Sequence, residues 1–411
     1  MKKKEILPWC LFDFAGSGYS AVILTVVFPV YYTQVIVGNQ AGVGDLWWGR
    51  AVALSMAFVA LTSPVLGGIA DYGGLRKRFL FIYTISCVCA VVFFTVLSPG
   101  MIITGFILIV VANTGFEGGM MFYNSYLPEI APKEFHGRVS AWGFAMGYAG
   151  SFSSLLIALP LAKNSSFNAL WVSVATFFFL FSLPLFIYLP KDTQLSPLSE
   201  TVSKKLTGFL KTMKEIWKNT QLRKFLISYF IYQDGTNTVI VFSSIFASTT
   251  LGFKSEELIY LFLTVQITAF LGAMIMAKPI DVKGPKTIVL LSLVLWSAVT
   301  IASYLVKTKL SFFVVAVAAG FGLGTVQSAS RTFFTKFIPN GRESEYFGFY
   351  STIGKTSAVL GPLVFGGISH LTGNQRPAIL SIIAFFITGL VVLLFVNDKK
   401  GKDIREGATL P

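Results

Sequence analysis

The sequence predicts an all-α integral membrane protein with twelve transmembrane helices in two pseudo-symmetric six-helix halves. Of the 411 residues, 54% are hydrophobic and only 13% are charged, whereas soluble domains carry about twice that charged fraction. Apolar runs of about twenty residues, which as helices can cross ~30 Å of hydrocarbon, recur along the chain with short links between them. In addition, the second half repeats features of the first.

The repeat is clearest in one polar helical segment. Residues 113–132 recur in altered form at residues 320–339, at an offset of 207. At the same offset Gly147 in span 5 corresponds to Gly354 in span 11. A parallel repeat of six spans is typical of two-halved secondary transporters. We expect the solute site between these two polar helices.

The predicted spans follow from the apolar runs. In the first half they cover about 7–37, 46–70, 79–97, 101–127, 139–162 and 168–189; in the second, about 224–249, 256–280, 287–306, 310–336, 345–371 and 377–396. Three regions result: residues 1–189, a linker at 190–222, and residues 223–411. Within the linker, apolar residues from Leu206 to Trp217 form one stripe, which predicts an amphipathic helix on the inner membrane surface. A regulatory or partner-binding helix is the alternative.

The net charge of +14 reflects membrane topology and does not indicate a nucleic-acid partner. We count 24 Lys and Arg residues in segments predicted to be cytoplasmic and 5 in the outer links. This asymmetry follows the positive-inside rule and predicts that both termini are cytoplasmic. The basic inner face also predicts attraction to anionic membrane lipids. We expect a bacterial inner (plasma) membrane and a monomer.

The sequence predicts neither an enzyme nor a bound cofactor or metal. The three cysteines lie in predicted spans without metal-ligand spacing. The two histidines lie at span ends, in or near links, and we find no nucleophile constellation or phosphate-binding loop.

Ionisable side chains inside the predicted spans are the main candidates for function, because such residues are costly in hydrocarbon. Asp13 in span 1 and Asp234 in span 7 lie at similar depths, which predicts matching positions in the two halves. Each carboxylate can couple transport to protons or cations, or it can pair with a helix end or a lysine.

Three further embedded charges extend this set. Glu117 in span 4 has no Lys or Arg within one helical turn, and we predict a site for a substrate amine or a proton. Arg331 in span 10 carries a planar donor fork that suits a carboxylate; a fixed interhelical bridge is the alternative. Lys355 in span 11 can partner Glu117 or Asp234.

Neutral polar residues complete the predicted site for a small polar solute. They are Asn124, Asn237 and Gln327. Each can bind the solute, or can instead tie two helices together.

Several stretches carry a resemblance to a known family. The link at 67–77, G-x-x-A-D-x-x-G-x-R-K, resembles the signature loop between helices 2 and 3 of the major facilitator superfamily, and 281–286 resembles its weaker counterpart. That loop and the segments 11–19, 124–148 and 327–362 look like the vacuole-effluxer-like branch, which contains autophagy-linked vacuolar amino-acid exporters and their bacterial relatives. In the first segment Gly16 stands where asparagine is common.

This resemblance implies the major facilitator fold and alternating access. The expected solute is a small polar molecule such as an amino acid, and we expect its transport to be coupled to protons. The alternative on the same fold is efflux of amphipathic drugs or lipids. The resemblance also implies a conformational switch, formed by Asp71 and Arg76 in the first link and by Asp281 and Lys286 in the second. In the family each aspartate faces the start of a helix in the opposite half.

The switch interpretation predicts the effect of Asp71→Asn. Loss of the carboxylate weakens its attraction to a helix N-terminus, so the population should shift towards the inward-open state. Labelling of single cysteines on the cytoplasmic side measures this shift. Unchanged labelling would count against the interpretation.

Overall fold

The computed structural model describes residues 3–131, 136–189, 213–338 and 343–397, which are almost entirely helical and include no strand. The all-α prediction is therefore confirmed. Most of the predicted amphipathic linker helix, at 190–212, lies outside the described residues. Residues 213–218 form a short helix in which Ile216 is buried and Trp217 is exposed.

The first half of the chain contains six long helices. They are α1 (Lys3–Tyr19), α2 (Val43–Gly73), α3 (Arg76–Phe93), α4 (Ile102–Ser125), α5 (His136–Lys163) and α6 (Phe167–Tyr188). Beyond α1 the chain continues as wider π-helical turns at Ser20–Val26 and Tyr31–Val37, on either side of Phe28–Val30. Pro29 lies between the wide turns, and its missing N–H prevents a regular helical hydrogen bond there. Span 1 is thus present but irregular.

The described part of the second half, from Thr220 onwards, contains seven helices. They are α7 (Thr220–Leu251), α8 (Ser255–Lys283), α9 (Pro285–Leu305), α10 (Lys309–Thr335), α11a (Glu343–Thr356), α11b (Leu360–Thr372) and α12 (Gln375–Leu394). Asn219 caps α7, because its side-chain oxygen accepts the N–H groups of Gln221 and Leu222 at 3.1 Å each.

Ten helices among the described residues are long and apolar enough to cross a membrane, and the chain is an integral membrane protein. The predicted spans 7 and 11 are not among the ten. The helix α7 is long enough, with 32 residues, but polar side chains interrupt its apolar surface. The two parts of α11 are each too short to span alone. We interpret α7 and the α11 pair as the remaining two spans.

Contacts between helices divide the chain into two compact units. Unit 1 comprises Met1–Asn39, Arg50–Leu210 and Lys254–Ile259, and unit 2 comprises Gln40–Gly49, Lys211–Phe253 and Tyr260–Pro411. The units largely follow the two predicted halves. The sequence did not indicate that Gln40–Gly49, at the start of span 2, would group with the second unit.

In unit 1 three glycines let α5 lie directly against α1. A Cβ atom at Gly150 would lie 1.9 Å from the backbone oxygen of Phe14. A Cβ at Gly147 would lie 2.7 Å from Ser17 Oγ, and one at Gly143 would lie 2.8 Å from the Trp9 ring. Small residues at this spacing allow two helices to approach closely.

In unit 2, α7 packs closely against α12. A Cβ at Gly389 would lie 2.8 Å from Cβ of Tyr232, and Ser228 Oγ donates a hydrogen bond to the Gly389 oxygen at 2.6 Å. From α9, Trp296 stacks on Phe386 of α12 with ring centroids 5.4 Å apart.

The predicted uninterrupted span 11 is wrong, because α11a ends at Thr356 and α11b begins at Leu360. Pro362 has no N–H and is tolerated only where that donor is not needed, in the first turn of a helix. The break places Pro362 in the first turn of α11b. Other described helices contain a proline without breaking, so proline alone does not explain the break. A side chain on α7 also holds the exposed backbone groups, as described below.

The packing of α5 on α1 predicts that Gly150→Ala destabilises the protein by about 2 kcal/mol or more, because overpacking against backbone cannot be relieved by a rotamer change. Gly119→Ala is the matched control in unit 1, since its Cβ would meet side-chain atoms only at 3.7 Å, and alanine favours helix. Thermal unfolding in detergent measures both. A Gly150→Ala midpoint at or above that of the wild type would contradict this account.

Candidate functional site

The centre of the candidate site in unit 2 is Asp234, whose side chain is fully buried on α7. Its Oδ1 atom accepts a hydrogen bond from the Gly361 N–H at 2.9 Å, and the Leu360 N–H is directed at the same carboxylate. Both donors belong to the first turn of α11b. The Oδ2 atom is also buried, and no group in the described part of the chain hydrogen-bonds to it.

The break in α11 explains why an acid lies here. The first N–H groups of a helix have no partner within that helix, and inside a membrane such groups need a partner from the protein. A carboxylate satisfies them and also interacts favourably with the positive end of the helix dipole. Asp234 therefore caps α11b from a neighbouring helix.

Gly361 permits this contact because there is no space for a side chain at that position. A Cβ there would lie 1.8 Å from Thr238 Oγ1 and 2.7 Å from Asp234 Oδ1. The hydroxyl of Thr238 in turn donates to the backbone oxygen of Asp234 at 2.7 Å.

Amide side chains on the same face of α7 contact the carbonyl side of the break, at the end of α11a. Asn237 Nδ2 lies 3.4 Å from both the Gly354 oxygen and Ser357 Oγ. Ser357 Oγ itself donates to the Gly354 oxygen at 2.7 Å, and Gln233 Nε2 donates to Asn237 Oδ1 at 3.0 Å. Polar side chains of α7 thus contact both ends of the broken helix.

Arg331 on α10 lies next to a pair of phenol rings. Tyr229 of α7 and Tyr350 of α11a stack with centroids 4.2 Å apart, and Phe334 stacks on Tyr350 at 4.7 Å. The guanidinium is close enough to both phenols for an electrostatic interaction. Arg331 is exposed, as is Gln327 one turn earlier, and Lys355 is half-buried. The arginine and the glutamine share one accessible helix face.

In unit 1, Asp13 lies where α1, α4 and α5 meet. Its Oδ2 would be 3.0 Å from a Cβ at Gly143 on α5, and its carboxylate lies beside the hydroxyl of Tyr123 on α4. Trp9 stacks on Tyr123 at 4.5 Å and donates its indole N–H to the Tyr123 backbone oxygen at 3.1 Å. Asp13 is half-buried.

The remaining predicted residues of unit 1 lie on α4. Glu117 is half-buried and near Tyr19, and Asn124 is exposed. Asn113, which shares this face, is buried and donates to Ser55 Oγ at 2.6 Å, so it ties two helices together.

The contacts of the two aspartates correct their expected symmetry. Asp13 lies against Gly143 and Gly147, which correspond to Tyr350 and Gly354 at the offset of 207. In unit 2 the residue that contacts that pair is Tyr229, whose hydroxyl would lie 2.7 Å from a Cβ at Gly354. Asp13 therefore corresponds to Tyr229.

In unit 1 the position that matches Asp234 is Gly18. Gly361, which contacts Asp234, corresponds to Ser154, and a Cβ at Gly18 would lie 3.0 Å from Cβ of Ser154. The helix α1 thus matches α7 at an offset of 216. The prediction that Asp13 and Asp234 occupy matching positions is wrong, because it assumed a different offset.

The predicted switch residues have contacts within their own units. Arg76 forms a salt bridge with Glu129, and its guanidinium lies 5.1 Å from the ring centre of Tyr126. Lys286 donates to the backbone oxygens of Leu394 and Val396, at 3.2 Å and 2.6 Å, near the end of α12.

The two switch aspartates provide less information. Asp281 is exposed in the last turns of α8, and the side chain of Asp71 is outside the described part. Their predicted role as a conformational switch stays a prediction.

Sequence reasoning missed Asp45, which is fully buried near the start of α2. Its Oδ2 accepts hydrogen bonds from Ser369 Oγ at 2.5 Å and from Gln375 Nε2 at 2.8 Å, and Gln375 Oε1 accepts from Thr250 at 2.8 Å. These bonds attach the start of α2 to α11b and α12. An acid two residues before a pair of tryptophans, at the start of an apolar run, was the available signal.

Comparisons with known proteins agree with this fold. A curated relative, the uncharacterized MFS-type transporter YxiO of Bacillus subtilis, is 29% identical and matches 98% of this chain and 97% of its own length. Autophagy-related protein 22 of Yarrowia lipolytica is 23% identical over 98% of this chain and 80% of its own.

Solved structures share the fold at lower identity. The nucleoside transporter NupG has a TM-score of 0.70 at 15% identity and covers 96% of this chain and 98% of its own. A D-xylose-proton symporter has a TM-score of 0.70 at 14% identity over 98% of this chain and all of its own.

The family model described as "Vacuole effluxer Atg22 like" matches residues 50–406, which is most of the chain. The relatives and the structural neighbours are transporters of the major facilitator superfamily and not enzymes. The chain belongs to the vacuole effluxer Atg22-like family of major facilitator transporters.

Proposed function

We propose that this transporter moves an amino acid by alternating access and couples its movement to protons. One observation carries the proposal: unit 2 combines an accessible arginine with a buried acid at a helix break, on neighbouring helices. Arg331 supplies the fixed cation and Asp234 the acid, while Gln233 and Asn237 add neutral groups at the break.

An amino acid presents a carboxylate and an ammonium at a fixed separation, so its site needs groups of both charges. The planar fork of Arg331 suits the carboxylate because two parallel N–H groups can bind its two oxygens. The ammonium needs an acid, and each unit contains an embedded candidate, Glu117 in unit 1 and Asp234 in unit 2. In unit 2 the exposed Gln327 can add neutral hydrogen bonds beside Arg331.

The names of the relatives support the proposal in general terms. The matched family is described as a vacuole effluxer. The solved neighbours are a nucleoside transporter and a sugar–proton symporter, so the fold itself accommodates polar solutes and proton coupling. The solute and the coupling ion of this chain are our inference from its own residues.

The alternative function, transport of amphipathic drugs or lipids, is favoured by one observation. Unit 2 contains a cavity of about 90 Å³ with a largely apolar lining. Its walls include Phe246, Phe262, Trp296 and Phe312, with Thr300 as one of few polar groups. Such a cavity suits an apolar chain better than a zwitterion.

We also propose a bacterial inner membrane location with both termini in the cytoplasm, and a monomeric state. The excess of Lys and Arg in the segments predicted to be cytoplasmic supports the orientation.

The amino-acid proposal predicts ligand binding that depends on Arg331. Thermal-shift measurements on the purified protein, at acidic and neutral pH, would test amino acids, short peptides, sugars, organic acids, nucleosides and lipophilic cations. A ligand that binds only the folded state raises the unfolding midpoint. We expect amino-acid hits, and Arg331→Ala should weaken their binding about 10- to 100-fold, because hydrogen bonds to a charged group contribute roughly 1.5–3 kcal/mol.

Lys336→Ala is the matched control, since it removes a cation just beyond the end of the same helix and should leave binding unchanged. Hits restricted to lipophilic compounds, with Arg331→Ala behaving as wild type, would instead support the alternative function.

A further inference from the structure

Asp234 shows an imbalance between its two carboxylate oxygens that capping alone does not explain. Oδ1 meets the N–H groups of Gly361 and Leu360. Oδ2 is equally buried, yet the described residues offer it no donor. Buried polar atoms in proteins normally have a partner, and a buried charged oxygen without one is costly. Oδ2 is therefore a position at which a ligand can bind.

We propose that Asp234 is the residue that binds and releases the coupling proton, and that its protonation controls the break between α11a and α11b. The inference rests on the proposed function and deepens it by assigning one residue to the proton.

The surroundings favour a proton over a metal cation or the solute ammonium. The backbone groups directed at Asp234 are N–H donors at the positive end of α11b, which repel a cation. A metal ion needs several oxygen ligands at once, and an ammonium needs space. At Oδ1 there is no space for either, because even a Cβ at Gly361 would overlap Thr238 and crowd that oxygen.

Protonation of Asp234 changes the strength of the hydrogen bonds that cap α11b. When Asp234 is ionised, the N–H groups of α11b donate to a charged oxygen, and such hydrogen bonds are about twice as strong as neutral ones. A proton from the aqueous phase that binds Oδ2 forms an O–H bond and removes the charge. The cap then weakens, and α11b can move relative to α7 about the residues between the two half-helices, Ser357 to Val359.

Three helices carry the charged and titratable groups that lie towards the break in the described part of the chain. On α7 these are Tyr229 and Tyr232; α10 contributes Arg331, and α11a contributes Tyr350 and Lys355. The described parts of α11b and α12 carry their ionisable groups, His370 and Arg376, at the ends away from the break.

The comparison of the two halves indicates that the fold itself does not need this arrangement. In unit 1 the position matching Asp234 is Gly18, and α5, which matches α11, runs unbroken from His136 to Lys163. The same packing of an N-terminal helix on its partner therefore forms without the acid or the break. A feature present in one half alone points to a role in transport.

Proton movement in liposomes containing the purified protein tests the proposal. The protons moved per amino acid are measured with a pH-sensitive dye and a labelled solute in sodium-free buffer. For Asp234→Asn we expect at least a tenfold fall in this ratio, while exchange of labelled for unlabelled solute continues. Asp45→Asn is the matched control, because it alters another buried carboxylate of unit 2 that is not at the break, and its ratio should equal that of the wild type.

Three outcomes would overturn the proposal while leaving amino-acid transport intact. They are wild-type transport without proton movement or with a sodium requirement, an unchanged ratio in Asp234→Asn, and loss of solute exchange and binding in a folded Asp234→Asn protein. The last would assign Asp234 to the ammonium.

A second measurement does not depend on any solute, and its result for the wild type does not depend on the folding of a variant. Infrared difference spectra between acidic and alkaline pH, with carbon-13 in the aspartate carboxyl groups, should show a protonated carboxylic acid band that shifts with the label. The band should persist in Asp45→Asn and vanish in Asp234→Asn. Absence of an aspartate band from the wild type would overturn the proposal even if amino-acid transport also failed.

Discussion

The structure of unit 2 depends on one constraint: inside a membrane, every backbone N–H and C=O group needs a partner from the protein. The break between α11a and α11b frees several of these groups within the bilayer. The helix α7 supplies the partners, with Asp234 on the N–H side and Asn237 on the carbonyl side. The break and the polar face of α7 therefore require each other, since either one alone would leave buried polar groups unsatisfied.

This mutual requirement accounts for the asymmetry between the halves. Unit 1 uses glycines to bring α5 against the backbone of α1, with Gly150 almost touching Phe14, and neither helix needs a charged partner at that depth. Unit 2 keeps the same helix pairing but exchanges a glycine for Asp234 and divides the partner helix. A duplicated bundle can gain a coupled site in this way, when one half keeps the close helix packing and the other acquires an acid at a helix break.

The sequence was sufficient for the fold class and for the correspondence between residues 113–132 and 320–339. The first follows from the lengths of the apolar runs, and the second from an offset of 207, and both can be read from the sequence alone. It was also sufficient to select Asp234 and Asn237, because polar side chains in an apolar span are conspicuous.

The partners of these side chains could not be predicted from the sequence, because they depend on the register between packed helices. An offset of 216 pairs Asp13 with Tyr229, whereas an offset five residues larger pairs it with Asp234. Ser357, Ala358 and Val359 carry no turn signal. The nearby Gly361–Pro362 pair is such a signal, but a proline alone does not predict a break, since other described helices contain one without breaking. Asp45 was missed because a single acid at a span end resembles an ordinary helix start.

The central claim is that the ionised Asp234 holds α11b, and hydrogen–deuterium exchange at the break tests it most directly. Amide exchange of residues 357–361 would be followed in lipid nanodiscs at acidic and alkaline pH and corrected for the intrinsic pH dependence. The account predicts that protection of the Leu360 and Gly361 amides falls on acidification in the wild type and is already low in Asp234→Asn. Equal protection at both pH values, or full protection in Asp234→Asn, would contradict it.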